Sequence, residues 1–174
     1  MSMDHKAFVF DDGAFRSELR RLLEQALQHG EVAPLRAFIE AHRGELSDPY
    51  EGAPLDRDWE SQIEVKDVHQ YGDFALTKYY APSDDIGLGA DWQALGEVLA
   101  SHGLAERILL GTSLGSFDPG KQGSYFQSPA TVRENLRCVE ELVVTKPALA
   151  GQLAALRSMF DAAARRAMGL YITF

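Results

Sequence analysis

The chain has 174 residues, 45% of them apolar and 25% charged, with a formal net charge of −9. Those values fit one globular domain able to bury an ordinary core, and they exclude collagenous, low-complexity and disordered classes. A single cysteine, Cys138, rules out an intramolecular disulfide framework, and the lack of clustered Lys and Arg argues against binding nucleic acid or an anionic membrane.

The first expected element is a short strand over residues 6–10, ended by Asp11-Asp12-Gly13. From Phe15, the residues Leu19, Leu22, Leu23, Ala26 and Leu27 recur at helical spacing, with Gly30 as the stop. A second helix has Pro34 in its first turn and Leu35, Phe38 and Ile39 facing inward. Together they form a helical hairpin over 14–43. Residues 45–67 have turn chemistry and no clear period, so a long loop with Trp59 as its anchor is expected. Residues 68–80 are rich in β-formers and read as extended, with Tyr71-Gly72-Asp73 as a hairpin turn.

Asp91 is placed to cap a third helix carrying Trp92, Leu95, Val98 and Leu99, with Gly103 as its stop. Residues 107–110 read as a buried strand or a short apolar plug, and 111–127 as a glycine-rich loop. Ser128-Pro129 is a helix start, followed by Val132, Leu136, Val139 and Val143. Pro147 opens the last helix, with the stripe Leu149, Leu153, Leu156, Phe160 and Ala164, and Leu170 to Phe174 closes the chain as a strand. The reading is one α+β domain: about five helices on a small, mostly antiparallel sheet, with the core over 92–174. The apolar run Ala7 to Phe10 is too short for a signal-peptide core, and no stretch approaches the ~20 apolar residues of a membrane span, so a cytoplasmic location is expected.

The charge is unevenly placed. Residues 45–91 carry 12 acidic and three basic side chains, a net of −9, whereas the other 127 residues carry 14 of each. The same stretch holds Tyr50, Trp59, Tyr71, Phe74, Tyr79 and Tyr80. Carboxylates mixed with large aromatics suit a surface that meets a basic protein.

The motifs that would signal chemistry fail on their details. Gly115 to Lys121 has the P-loop glycine spacing, but Gln122 stands where a magnesium-binding Ser or Thr belongs, and the helix starts late. Gly111-Thr112-Ser113-Leu114-Gly115 matches a nucleophile elbow literally, yet no histidine follows Ser113. The histidines His5, His29, His42, His69 and His102 lack metal-ligand spacing. Cys138 lies beside an apolar helix stripe and reads as a small hydrophobe. No catalytic residue, metal or cofactor is expected.

The second half, roughly residues 90–174, resembles the YfbM-like family of small bacterial proteins. The likeness is carried by Asp91-Trp92-Gln93-Ala94-Leu95, Leu109-Leu110-Gly111, the glycine-rich loop closed by Ser128-Pro129 with Val132, and Phe160, Gly169 and the strand Leu170 to Phe174. Thr112 stands where a second glycine is expected, and Ala130 replaces an acid. The resemblance implies an α+β fold and no chemistry.

The expected function is that of a non-enzymatic binding protein that engages a basic protein partner, with Asp73, Tyr79, Tyr80, Asp84 and Asp85 in the contact. An immunity-type protein that neutralises a cationic toxin is the concrete form. The alternative is a small enzyme or ligand-binding protein with its site between the 111–127 loop and residues 71–89, using Lys121 as the cation and Asp118 or Asp85 as a base.

Overall fold

Strand β4 (Gly169–Thr173) organises the molecule because it is buried along its whole length and on both faces. In the computed structural model, which describes residues 3–119 and 123–174, it pairs antiparallel with β1 (Lys6–Phe10) on one side and β3 (Ser124–Gln127) on the other. Strand β2 (Thr112–Ser113) pairs with β3, giving a four-stranded sheet in the order β1-β4-β3-β2, antiparallel throughout. The fold is α+β, as expected from the sequence.

Side-chain alternation along these strands divides the core in two. Phe8, Phe10 and Tyr171 face one helical layer, whereas Ala7, Leu170 and Ile172 face the other. The first layer comprises α1 (Asp12–Glu18), α2 (Arg20–His29), α3 (Ala33–His42) and α4 (Val68–Leu76). The second comprises α5 (Trp92–Ala100), α6 (Ala105–Leu109), α7 (Pro129–Thr145) and α8 (Ala154–Ala164). A sheet covered on both faces needs apolar residues at every position of its inner strand, which is why Leu170-Tyr171-Ile172 reads as a continuous run.

Several elements differ from expectation. The described residues hold eight α-helices, not five, partly because the first expected helix breaks at Leu19 into α1 and α2. Residues 68–76 are helical, not extended. Asp67 caps α4 by accepting a hydrogen bond from Gln70 N–H at 2.9 Å, and Gly72 sits inside the helix, not in a turn. A Cβ on Gly72 would lie 2.7 Å from the Phe117 ring and 2.9 Å from Leu23, so the missing side chain lets α4 pack closely there. Residues 105–109 form α6 instead of a strand, and the 111–127 loop contains β2 and β3. The closing strand is present as β4 and is interior; the sheet edges are β1 and β2.

Other expectations hold. Ser128 caps α7, accepting from Thr131 N–H at 3.2 Å, with Pro129 in the first turn. Residues 45–67 are mostly loop with two short 3-10 turns, and Trp59 is buried at 1% exposure. Ser113 lies on β2, paired with Tyr125, with no helix directly after it.

A carboxylate-rimmed cleft at the open sheet edge

The chain leaves α4 at Thr77, bonds to β1, arches away and returns to β1. At the near end Asp11 N–H donates to the Tyr79 carbonyl at 2.9 Å. At the far end Ile86 N–H donates to the Ala7 carbonyl at 2.8 Å, and His5 and Gly89 exchange two backbone bonds of 3.0 Å. Asp85 reinforces the return: one carboxylate oxygen accepts from Ala7 N–H at 3.1 Å and from Gly87 N–H at 2.8 Å. Gly87 is obligatory here, because a Cβ would lie 2.2 Å from the His5 carbonyl oxygen.

Between those two attachments lies a cleft of about 810 Å³. Val9 of β1 and Ile86 are part of its wall, and Ala162 of α8 with Arg166 and Met168 just after that helix closes one side. Its carboxylates are Asp11, Glu45, Asp84 and Asp85; its cations are Lys78 and Arg166. Lys78 is already held by Glu18 at 2.6 Å and lies 3.9 Å from Glu45. That bond to Lys78 pulls the Glu18 carboxyl below its usual pKa. Asp84 and Asp85 are exposed at the rim, and Glu45 is exposed beside them.

Of the five residues expected to contact a partner, Asp84 and Asp85 meet that expectation of exposure and three do not. Asp73 is fully buried on α4, and Tyr79 and Tyr80 are only 4% and 7% exposed. The three form part of the interior for a physical reason: α4 and the turn after it are packed between the sheet and α2 and α3. Burial first, and then the nearby Asp73 charge, push the Tyr80 and Tyr171 phenols well above their usual pKa. The Tyr80 hydroxyl has no hydrogen-bond partner among the described residues. The Tyr171 hydroxyl accepts from Ser124 at 2.9 Å.

The aromatics of the acidic stretch are therefore core. Trp59, Tyr71, Phe74, Tyr79 and Tyr80 are buried, and Tyr50 alone among the six is well exposed, at 58%. Some of its acids are structural too. Asp48 accepts from Tyr50 and Glu51 N–H groups, both at 2.7 Å, and Glu60 binds the Tyr71 hydroxyl and Arg36. Burial and the Glu60 contact push Tyr71 up to about 12.

The alternative site separates differently. Asp118 is exposed, and its backbone N–H donates to His69 Nδ1 at 3.0 Å while Gln70 donates to the Pro119 carbonyl at 2.8 Å. The 111–119 loop thus packs on α4, but the cleft of about 810 Å³ lies at β1 and none of residues 111–119 lines it. Lys121, with Gly120 and Gln122 of the P-loop-like pattern, lies outside the described residues. Among the described residues no three His, Cys, Asp or Glu side chains converge as a metal site, and no helix is long and apolar enough to cross a membrane.

Sequence reasoning missed Asp11, Glu45, Lys78 and Arg166 as neighbours of Asp84 and Asp85. Asp11 carries a local signal, but for another role: it caps α1 by accepting from Ala14 N–H at 3.0 Å. Their convergence depends on the 79–86 arch bonding to β1 and on α8 packing against β1, contacts between segments far apart in sequence that no local pattern announces.

No family model matches the chain, and neither a curated protein nor a solved structure does.

Proposed function

We propose that this protein is a non-enzymatic binding protein whose carboxylate-rimmed cleft engages a basic protein partner. The observation that carries the reading is the placement of charge. The whole net charge of −9 falls within residues 45–91, and Glu45, Asp84 and Asp85 from that stretch rim the cleft at β1. Exposed carboxylates around a concavity raise the local concentration of a cationic ligand and speed its encounter. Of the aromatics in that stretch, Tyr79 and Tyr80 line the cleft while remaining largely buried, and the others belong to the core or lie away from it. Neutralisation of a cationic toxin is the concrete form of this function, and it places the protein in the cytoplasm of a bacterial cell.

The reading is tested by titrating the protein with the peptide acetyl-Lys-Val-Lys-Val-Lys-Val-Lys-amide and with its Glu-for-Lys counterpart at low and at physiological salt. The cationic peptide should bind, and its affinity should fall on the order of tenfold as salt screens the rim. Equal binding of both peptides, or binding indifferent to salt, overturns the reading.

A further inference from the structure

Alternation along β1 assigns its backbone groups to two sides. His5, Ala7 and Asp11 direct theirs away from β4, as their bonds to Gly89, Ile86 and Tyr79 show. Val9 shares that parity, so its N–H and C=O also point outward. The groups on either side of it are covered, but none of the described residues pairs with these two, and Val9 lines the cleft. The arch from Tyr79 to Ile86 therefore leaves one residue of sheet edge open, flanked on both sides by closed edge.

We propose that Val9 docks an extended segment of the basic partner as an isolated β-bridge, an inference that rests on the functional reading above and adds the mode of binding. The bridging residue of the partner would exchange two backbone hydrogen bonds with Val9, as directly opposed residues do in an antiparallel pair. Its side chain would lie on the Val9 face, where Ile86, Ala162 and Met168 provide apolar surface. Its two neighbours would project to the opposite face. Asp11 and Asp85 also bond backbone N–H groups and Glu45 bonds His42, but four carboxylates against Lys78 and Arg166, with Lys78 held by Glu18, leave the cleft net negative and favour lysine or arginine in the segment. The occupant is thus a basic–apolar–basic triplet in extended conformation. Closed edge on both sides limits the pairing to one bridge, which suits selective docking and opposes edge-to-edge aggregation of the sheet.

The test uses ¹⁵N-labelled protein, the same alternating Lys-Val peptide, and that peptide N-methylated at every valine. Methylation removes the valine N–H donors while leaving charge and side chains in place. At saturation the Val9 amide should exchange with solvent roughly tenfold more slowly, and methylation should weaken binding on the order of tenfold, with salt sensitivity retained. If the two peptides bind equally and salt-sensitively while Val9 exchange is unchanged, the bridge is refuted and the electrostatic reading stands. If neither peptide binds at low salt, the functional reading falls and the bridge falls with it.

Discussion

His5 joins three parts of the molecule through one ring. It is fully buried; Leu88 N–H donates to its Nδ1 at 3.3 Å, and its Nε2 lies 3.0 Å from the Leu109 carbonyl. Those partners assign the proton to Nε2 and leave Nδ1 as an acceptor. Burial lowers its pKa from 6.5, outweighing the Leu109 bond that favours the charged form. Well above pH 6.5 the imidazole is neutral in both the folded and unfolded chain, so its contribution to stability is complete there. As pH falls below 6.5, the unfolded chain takes up a proton that the native state resists, and stability is lost until the lowered folded pKa is passed. Urea midpoints should therefore drop across that window in the native sequence, and the difference from His5→Gln should shrink as pH falls. A difference independent of pH would show that His5 is not titrating as described.

Two more positions are decided at this scale. Gly87→Ala forces a Cβ against the His5 carbonyl and should cost about 1–3 kcal/mol in chemical denaturation, with faster exchange of the Ala7 amide as the strap lifts. Ala167 holds φ at 52°, in the left-handed region at the end of α8, where glycine is at ease. Ala167→Gly should raise stability by up to about 1 kcal/mol, since the relieved backbone strain exceeds the entropy added to the unfolded chain.

At the scale of elements, α4 shows what governs the cleft. Its buried residues run from Tyr71 through Leu76 without interruption, because the sheet, α2 and α3 surround it. Phe74 fills the face beside the helically spaced Val68, Tyr71, Ala75 and Leu76, so the stripe is blurred and the run of aromatics resembles a strand. The signal that was present is Asp67, three residues before Gln70, whose N–H it caps. Asp67→Ala should cost about 1 kcal/mol and should loosen the Tyr79–Asp11 attachment downstream, visible as faster exchange of the Asp11 amide. Elements with a solvent face were legible: α5 and α7 have one apolar stripe each, and Ser128-Pro129 marks the start of α7. The sheet was less legible because β2 is two residues long and β3 four, in a segment dominated by turn residues. In the candidate site, Asp84 and Asp85 stood out through local charge alone. Asp11 and Arg166 did not, since each has an ordinary local reading as a helix cap or a solvated helix end.

For the whole molecule, the central fact is the two-sided burial of one small sheet. Both of its faces are covered by helices, so its edges are the remaining backbone surface on which a partner strand can pair. At β1 that edge is closed by the 85–89 strap and by Tyr79, and it opens at Val9 inside a carboxylate rim. The acidic stretch thus performs two tasks. Asp48, Asp67 and Asp73 belong to the fold, Glu45 and Asp84 set the field of the cleft, and Asp85 does both by holding the strap on β1.

The claim that this field recruits a basic partner is tested most directly by the association rate of the Lys-Val peptide at low salt. The comparison is between Glu45→Gln/Asp84→Asn at the rim and Glu97→Gln/Glu106→Gln on α5 and α6, an equal change in net charge at exposed positions on the other layer. The rim pair should slow association roughly tenfold and the distant pair less than about twofold. Equal slowing by both pairs would mean that overall charge, not the cleft, attracts the peptide, and would contradict the account.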